Sequence, residues 1–249
     1  MQAWCELDLD NVHAVEQYLR VADVLGIARS NEVVPPRPPA SERVAAGPAA
    51  GYVVLHPSPL YRYKAWTASG WLALTRHLLA RGLEVRLTGG PAAAERDLLR
   101  SISEGLSAAE RERVRDLGGA LSFAELTPLI EGAVAFVGPD TSVTHLSAAT
   151  GTSTVALFGP SHPIAWGPRP VRWHGSAATP WALRAPLQRR GNVWLVQGEA
   201  PCVPCRGEGC DKHPDSHSRC LDELGPARVI EVVEQVLAER SLALEAQSQ

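Results

Sequence analysis

Apolar and polar positions follow two alternating periodicities along most of the chain. Patterns typical of buried strands occur at 52–56 (YVVLH), 83–90, 113–117, 133–138 (AVAFVG), 153–159 (STVALFG) and 192–198. Helical spacing of apolar residues fills most of the intervals, for example at 67–81 and 142–150. Strands that alternate with helices in this way form a parallel sheet covered on both faces. We therefore predict an α/β, Rossmann-like fold, a parallel sheet with helices on both faces.

Local signals mark the ends of several elements. Asp10 is the predicted N-cap of the first helix, and Gly26 stops that helix. Ser122 and Glu125 have the spacing of a capping box at the start of another helix. Residues 160–192 are rich in proline, tryptophan and arginine without clear periodicity, so we predict mostly loop there.

A segment rich in proline and glycine, residues 35–51, divides the chain. Residues 1–51 are expected to be a helix followed by a linker. Residues 52–249 are expected to form the Rossmann-like domain, with a cysteine-rich loop at 199–220 and a C-terminal helix. A length of 249 residues is about one and a half typical domains of roughly 150 residues, which agrees with this division.

Charge and composition exclude several classes of protein. Lysine and arginine number 24 against 27 aspartates and glutamates, so no basic field favours a nucleic-acid partner. Apolar residues make up 45% of the chain, enough for a packed core. No apolar run approaches the roughly 20 residues of a membrane helix, and the first residues do not look like a signal peptide. We predict a cytoplasmic protein, with peripheral association at the inner face of the membrane left open.

The turn after AVAFVG carries the strongest candidate chemistry. Asp140 follows the strand, and a helix begins with Thr141 and Ser142. Free backbone N–H groups and the positive end of the helix dipole make such a turn a natural phosphate site. His145 lies one helical turn further, on the same side. The alternative is that Asp140 is only an N-cap and His145 a core histidine.

Two further strand-end loops carry polar groups, and ligands of parallel sheets bind at such loops. Lys64, after YVVLH, offers a point charge for phosphate or is a solvated loop lysine. Gly89 and Gly90 let a ligand approach the backbone closely. Glu95 is either an acceptor for ribose hydroxyls or a solvated helix glutamate. The loop after STVALFG is the fourth such position.

The order and the amino-acid sequences of these loops resemble those of a known family. The matching segments are HPS with KAW downstream, TGGPAAAE, GPDTSVTHLSAATGTSTVALFGPSHPIAWGP and CVPC. They are similar to the C-terminal, donor-binding half of glycosyltransferase family 9, the ADP-heptose:lipopolysaccharide heptosyltransferases of GT-B fold. The resemblance implies an inverting, metal-independent glycosyltransferase without a cofactor. Its donor would be a nucleoside diphosphate sugar of ADP-heptose type, and its acceptor a lipopolysaccharide, lipid A-core or related glycan.

The resemblance also implies roles for individual residues. Lys64 would pair with the pyrophosphate, Glu95 would hold the ribose, and the Asp140 turn would line the diphosphate and sugar. Lys64, Asp140 and His145 are the expected catalytic residues, which would stabilise the departing nucleoside diphosphate electrostatically. The full predicted donor-binding set is Ser58, Lys64, Gly89, Glu95, Asp140, Thr141, Ser142 and His145.

The chain departs from the family pattern in two ways. Ser142 stands where the family usually has glycine, which alters the close approach of phosphate to the backbone. The family's N-terminal Rossmann domain, which holds the acceptor and the base carboxylate, has no counterpart before Asp10. We expect residues 1–51 to be the tail and linker of that domain. A partner chain could supply the domain itself. The alternative function is a non-catalytic nucleotide-sugar-binding module, or one half of a split enzyme.

Four of the five cysteines lie close together, at C-x2-C-x4-C-x9-C spacing: Cys202, Cys205, Cys210 and Cys220. Four soft ligands at this spacing fit a structural zinc ion, and a zinc-stabilised interaction domain is a further interpretation. The same four cysteines could instead be reduced packing residues, or they could form one or two disulfides. Cys5 stands apart from this group, and no metal is expected in the donor site.

Overall fold

The computed structural model describes residues 8, 10–30, 32–39, 51–173 and 179–247. Cys5 and residues 40–50 of the predicted linker lie outside these ranges. No helix in the described ranges is long and apolar enough to cross a membrane.

One sheet of seven strands organises the described residues, in the order β3-β2-β1-β4-β5-β7-β6. Its strands are β1 (Tyr52–Leu55), β2 (Glu84–Leu87), β3 (Val114–Asp116), β4 (Ala135–Pro139), β5 (Thr154–Phe158), β6 (Leu187–Arg190) and β7 (Val193–Gln197). Neighbouring strands run parallel except β6, which pairs with β7 in the antiparallel sense.

Helices alternate with most of the strands. The α-helices are α1 (Ala14–Leu25), α2 (Ala68–Ala80), α3 (Ala93–Glu104), α4 (Ala108–Arg111), α5 (Phe123–Glu131), α6 (Ser142–Thr150), α7 (Pro163–Trp166), α8 (Arg219–Asp222) and α9 (Pro226–Gln247). A one-turn 3-10 helix spans Arg62–Lys64. This architecture confirms the predicted Rossmann-like fold.

The two faces of the sheet bury separate apolar clusters. Val53 and Leu55 of β1 face α2, α3 and α9, whereas Tyr52 and Val54 face α5 and α6. Successive side chains of a strand point to opposite faces, so a central strand covered on both sides must be apolar throughout. The continuous run YVVL, fully buried in the structure, meets that requirement. Trp71 of α2 is among the largest side chains buried in the first cluster.

The described residues between 160 and 192 are mostly loop, as predicted, but two short elements that no pattern indicated, α7 and β6, form there. The sequence of β6 is Leu-Gln-Arg-Arg, and Gln188 is its one buried residue. An edge strand with a polar sequence has no apolar alternation to reveal it, and backbone pairing with β7 holds it in place. Arg189 of β6 stacks on Trp194 of β7, with its guanidinium carbon 4.5 Å from the ring centre.

The N-cap of the first helix is His13, so the prediction of Asp10 was wrong. The His13 Nδ1 atom accepts a hydrogen bond from the Val15 N–H (3.2 Å), and its Nε2 lies 2.8 Å from the Gly167 carbonyl oxygen. The imidazole caps α1 and joins it to a distant loop at the same time. Gly26, at φ +67°, ends α1 in the left-handed conformation as predicted.

The Ser122–Glu125 capping box is confirmed, with both reciprocal hydrogen bonds present.

The described part of the N-terminal segment contacts the Rossmann-like domain through ion pairs. Arg37 bonds to Glu131 through two nitrogens at 2.6 and 2.7 Å, and Glu16 lies 2.7 Å from Arg169. The division of the chain at residue 51 stays a prediction.

Candidate functional site

The order of the strands places a crevice between the ends of β1 and β4. The chain proceeds outward from β1 to β2 and β3, then returns to the other side of β1 as β4. Ligands of such sheets bind at this reversal, outside the carboxyl ends of the strands. Lys64 comes soon after β1 and Asp140 directly after β4, so the fold brings both predicted residues to the crevice.

Lys64 and Asp140 form an ion pair there. The Lys64 Nζ donates a hydrogen bond to Asp140 Oδ2 at 2.7 Å. The Asp140 side chain is 8% exposed and that of Lys64 23%. Lys64 is therefore held in place rather than solvated as a free loop lysine. We call Lys64, Asp140 and His145 the charged cluster.

Asp140 is ionised throughout the physiological range. Burial by itself raises the pKa of a carboxyl group, but the neighbouring His145 and the Lys64 ammonium outweigh burial here and lower the pKa of Asp140 to about 2. His145 Nε2 lies 3.8 Å from Asp140 Oδ1, too far for a direct hydrogen bond and close enough for electrostatic attraction. A carboxylate with so low a pKa is a weak base and a stable negative charge.

The alternative that Asp140 is only an N-cap is wrong, because Thr141 caps α6. The Thr141 hydroxyl accepts a hydrogen bond from the Thr144 N–H at 3.3 Å. The Thr144 hydroxyl in turn donates to the carbonyl oxygen of Pro139 at 2.6 Å. These bonds fix the turn between β4 and α6 and leave the Asp140 carboxylate to Lys64.

Ser142 and His145 lie on the outer side of the turn. Ser142 is exposed, and the His145 side chain is 37% exposed, so the core-histidine alternative is wrong. Both residues line an apolar groove of about 390 Å³ that α1 borders with Ala14 and Tyr18. The face of α6 that carries His145 thus opens toward the N-terminal segment.

The segment after β2, residues 88–95, contains a loop and the first turn of α3; it holds the second group of predicted residues, and we call it the Glu95 loop. Glu95 Oε1 accepts a hydrogen bond from the Gly90 N–H at 3.1 Å. A Cβ on Gly90 would lie 2.4 Å from Glu95 Oε2, so a larger residue at position 90 would displace the Glu95 carboxylate from its present position. The Ser58 hydroxyl donates to the Glu95 carbonyl oxygen at 3.4 Å, and the Ser58 Oγ lies 3.5 Å from where a Cβ on Gly89 would be.

Two cavities lie at this edge of the sheet. Ser58 and Glu95 line one of about 740 Å³. Lys64 and Asp140 line another of about 500 Å³. The predicted residues are thus brought to one edge, but they are distributed over adjoining cavities rather than gathered in a single one.

The second cavity includes residues without a predicted role. His162 follows β5 and is 4% exposed. Arg206 is an ion-pair partner of Asp10, and its backbone N–H donates to the carbonyl oxygen of Pro160 at 2.9 Å. The rule that directs attention to strand-end loops already points to His162, because the loop after STVALFG is the fourth such loop. No local pattern points to Arg206, which arrives from the cysteine-rich loop.

Two more buried histidines, His13 and His56, are structural. Burial lowers the pKa of His56 to about 4, and its Nδ1 lies 3.0 Å from the Thr88 hydroxyl. Burial is also the main reason that the pKa of His13 falls to about 4. Both are neutral at pH 7 and serve as hydrogen-bonding links beneath or beside the crevice.

The four clustered cysteines are free thiols, so the disulfide alternative is wrong. Within the described ranges, no group of three or more His, Cys, Asp or Glu side chains is arranged to hold a metal ion, and the zinc alternative has no support from the geometry. Cys220 is buried, and burial raises its pKa to about 12. It behaves as a packing residue against Leu221 and Gly159.

Known proteins match this chain in sequence and in fold. The model of glycosyltransferase family 9 (heptosyltransferase) matches residues 10–207. The chain belongs to this family. Lipopolysaccharide heptosyltransferase 3 of Escherichia coli is 33% identical over 181 residues, which are 70% of this chain and 51% of that protein. The chain spans about half the length of the curated relatives it matches.

Solved structures of the family share the fold. A glycosyltransferase of family 9 from Veillonella parvula superimposes with a TM-score of 0.67 at 16% identity, over 96% of this chain and 64% of that one. The E. coli heptosyltransferase WaaC, solved with ADP, gives a TM-score of 0.59 at 18% identity over 94% of this chain and 58% of that one. At these identities the likeness extends to the fold alone.

Proposed function

We propose that this chain is the donor-binding half of a heptosyltransferase-type glycosyltransferase, which holds an ADP-heptose-like nucleoside diphosphate sugar for transfer to a lipopolysaccharide or related glycan. The largely buried Lys64–Asp140 pair at the β1–β4 crevice carries the proposal. Family membership and the names of the relatives support the donor class and the acceptor class.

Lys64 is the proposed ligand of the pyrophosphate. Its ammonium pairs with Asp140 at 2.7 Å and lines the cavity of about 500 Å³, where an incoming diphosphate can reach it. The negative charge of Asp140 holds the Lys64 side chain at the mouth of the crevice. Departure of a nucleoside diphosphate builds negative charge on its terminal phosphate, and a fixed cation there lowers the barrier.

The start of α6 supplies further positive potential. The first N–H groups of a helix have no intrahelical partner and attract anions. Helix α6 begins at Ser142, directly after the Thr141 cap. With Lys64 on the other side of the crevice, the proposed departure of the diphosphate needs no metal ion.

Glu95 is the proposed ligand of the ribose. Its carboxylate is turned toward the Gly90 amide and lines the larger cavity, where two hydroxyls on adjacent carbons could donate to its oxygens. Gly89 and Gly90 keep the backbone close to that cavity, and Ser58 fixes the start of the loop at the Glu95 carbonyl.

The base that deprotonates the acceptor is proposed to lie outside the charged cluster. Inversion at the anomeric carbon requires a group that accepts the proton of the attacking hydroxyl. With a pKa of about 2 and an ammonium at 2.7 Å, Asp140 is unsuited to that task. In this proposal Asp140 positions Lys64 and contacts the sugar, and the base comes with the acceptor-binding half.

We propose that the acceptor-binding half docks on an exposed apolar surface of this chain. That half would belong to the same protein or to a partner chain. Tyr18 of α1 is 63% exposed and Val34 77%. Together with Phe123 and Trp166 they border the apolar groove at Ser142 and His145. A contiguous apolar surface next to a site marks an interaction surface.

The test is calorimetric titration of the purified chain with ADP and with ADP-heptose. We expect both to bind, and Lys64→Ala to weaken ADP by at least about tenfold, because a charge-assisted contact is lost. Lys64→Arg retains the charge and should retain part of the affinity. Arg111→Ala is the matched control, since it also removes one positive charge, but Arg111 is exposed at the end of α4 and lines neither of the two cavities.

If the unaltered chain binds neither ligand, or if Lys64→Ala and Arg111→Ala bind ADP equally, the donor-site proposal is wrong. Thermal unfolding of each variant separates loss of the site from loss of the fold.

A further inference from the structure

The strand order arranges the polar groups of the site in a row. Along the carboxyl edge, β2, β1, β4 and β5 are consecutive neighbours. Glu95 follows β2, Lys64 follows β1, Asp140 follows β4 and His162 follows β5. Three strand spacings separate the two ends, about 14 Å. An extended nucleoside diphosphate sugar with its ribose at Glu95 and its pyrophosphate at Lys64 directs its sugar toward the β5 end.

The protonation state of His162 follows from its hydrogen bond. His162 is the N-cap of α7, and its Nδ1 accepts the Ala165 N–H at 3.2 Å. Burial and the nearby Arg206 lower the pKa of His162, so the ring is neutral at pH 7. A neutral imidazole that accepts at Nδ1 must carry its proton on Nε2. The second ring nitrogen is therefore an N–H donor.

That donor has no acceptor among the described residues. Within the same ranges, the Nε2 of His162 is buried and lacks a hydrogen-bond partner. A buried donor without an acceptor costs free energy, so such groups are rare unless a ligand or water satisfies them. The ring lines the cavity of about 500 Å³ that also contains Lys64, Asp140 and Arg206.

We propose that His162 is a sugar-recognition residue, whose Nε2–H donates a hydrogen bond to an oxygen of the donor sugar in this cavity. The inference rests on the proposed donor site and adds the group that distinguishes the sugar-bearing ligand from the bare nucleotide. The Nε2 atom itself has almost no accessible surface, so the proposed bond requires the ring to turn toward the cavity when the sugar binds. Arg206, anchored by its backbone N–H to Pro160, closes the same side of the cavity.

The informative variant is His162→Asn. Asparagine is a strong N-cap, so its side-chain oxygen can still accept the Ala165 N–H, but it has no donor at the reach of Nε2. Titration calorimetry of the full chain with ADP and with ADP-heptose measures the selectivity between them. We expect ADP to bind within about twofold of the unaltered chain, and ADP-heptose to bind about three- to tenfold more weakly. His213→Asn, at an exposed histidine of the cysteine-rich loop, is the matched control and should change neither affinity.

A purely structural His162 predicts another result, in which both affinities fall together or neither changes, and either outcome overturns the inference while the donor site stands. If the unaltered chain binds neither ligand, the proposed function fails and the inference fails with it. Should His162→Asn not fold, nitrogen NMR of the unaltered chain also distinguishes a sugar-recognition role of His162 from a purely structural one. ADP-heptose should shift the Nε2 resonance of His162 and ADP alone should not; equal shifts contradict the proposal.

Discussion

The two halves of the site are built by contacts of very different range. In the Glu95 loop, the hydrogen bond from Gly90 to Glu95 spans five residues. In the charged cluster, Lys64 and Asp140 are 76 residues apart in sequence. At the far side of the cavity, Asp10 and Arg206 are separated by 196 residues. The first group is a property of a short segment, and the second exists only when the sheet is assembled.

This difference has an energetic consequence. Glu95 is half-buried and bonds to an amide that water can also satisfy, so its removal costs the fold little. Asp140 is a buried charge, and its ionised form depends on partners brought by another strand. Changes in the charged cluster should therefore affect both stability and binding, whereas changes in the Glu95 loop should affect binding alone.

The largest effect is expected from Asp140→Asn. The variant leaves Lys64 without this anion, and we expect the free energy of unfolding to fall by about 2 kcal/mol, with ADP-heptose binding strongly weakened. Asp116→Asn is the matched control, because Asp116 also ends a parallel strand but is exposed and bonds to the nearby Gly118 amide at 2.9 Å. Chemical denaturation measures both. Equal losses in the two variants would contradict the distinction between the regions.

The dependence of stability on acidic pH tests the same difference between the charged cluster and the Glu95 loop. Asp140 has a folded-state pKa of about 2, below its ordinary value of 3.8. A lowered carboxyl pKa contributes stability that is fully present above the ordinary value and is lost as the pH falls toward the folded-state value. We expect the gap in unfolding free energy between the unaltered chain and Asp140→Asn to shrink by up to about 2 kcal/mol between pH 4 and pH 2. A gap that stays constant over this range would show that the pKa is not lowered.

The smallest effect on the fold is expected from Glu95→Ala. We expect about a tenfold loss of ADP affinity, because ribose hydroxyls lose a charged acceptor, and a change in unfolding free energy within about 0.5 kcal/mol. Glu104→Ala, an exposed glutamate at the other end of α3, should bind ADP normally. If Glu95→Ala destabilises the chain as much as Asp140→Asn does, the two halves of the site do not differ in the way proposed.

Two predictions that depend only on nearby residues are confirmed, and a third is wrong. The capping box of Ser122 and Glu125 needs residues three apart, and Gly26 needs only its own backbone conformation. Local preference favours Asp10 as the N-cap of α1, because aspartate is a commoner cap than histidine. In the structure, however, Asp10 forms an ion pair with Arg206, and the His13 ring is fixed by its contact with the Gly167 carbonyl oxygen. Tertiary partners decide that end of the helix, and no pattern within a few residues reveals them.

Apolar periodicity is enough to predict the fold class and the strand-end loops, since it reports which faces of each element are buried. The sequence also placed Lys64, Glu95, Asp140 and His145 at the edge where ligands bind. Three features follow from long-range packing and from no local pattern. Asp140 pairs with Lys64 instead of capping α6, and the polar strand β6 adds to the sheet. His162 lines the cavity, and its buried Nε2–H has no acceptor among the described residues. Each of these depends on the surroundings of a polar group, which are set by segments far away in the chain.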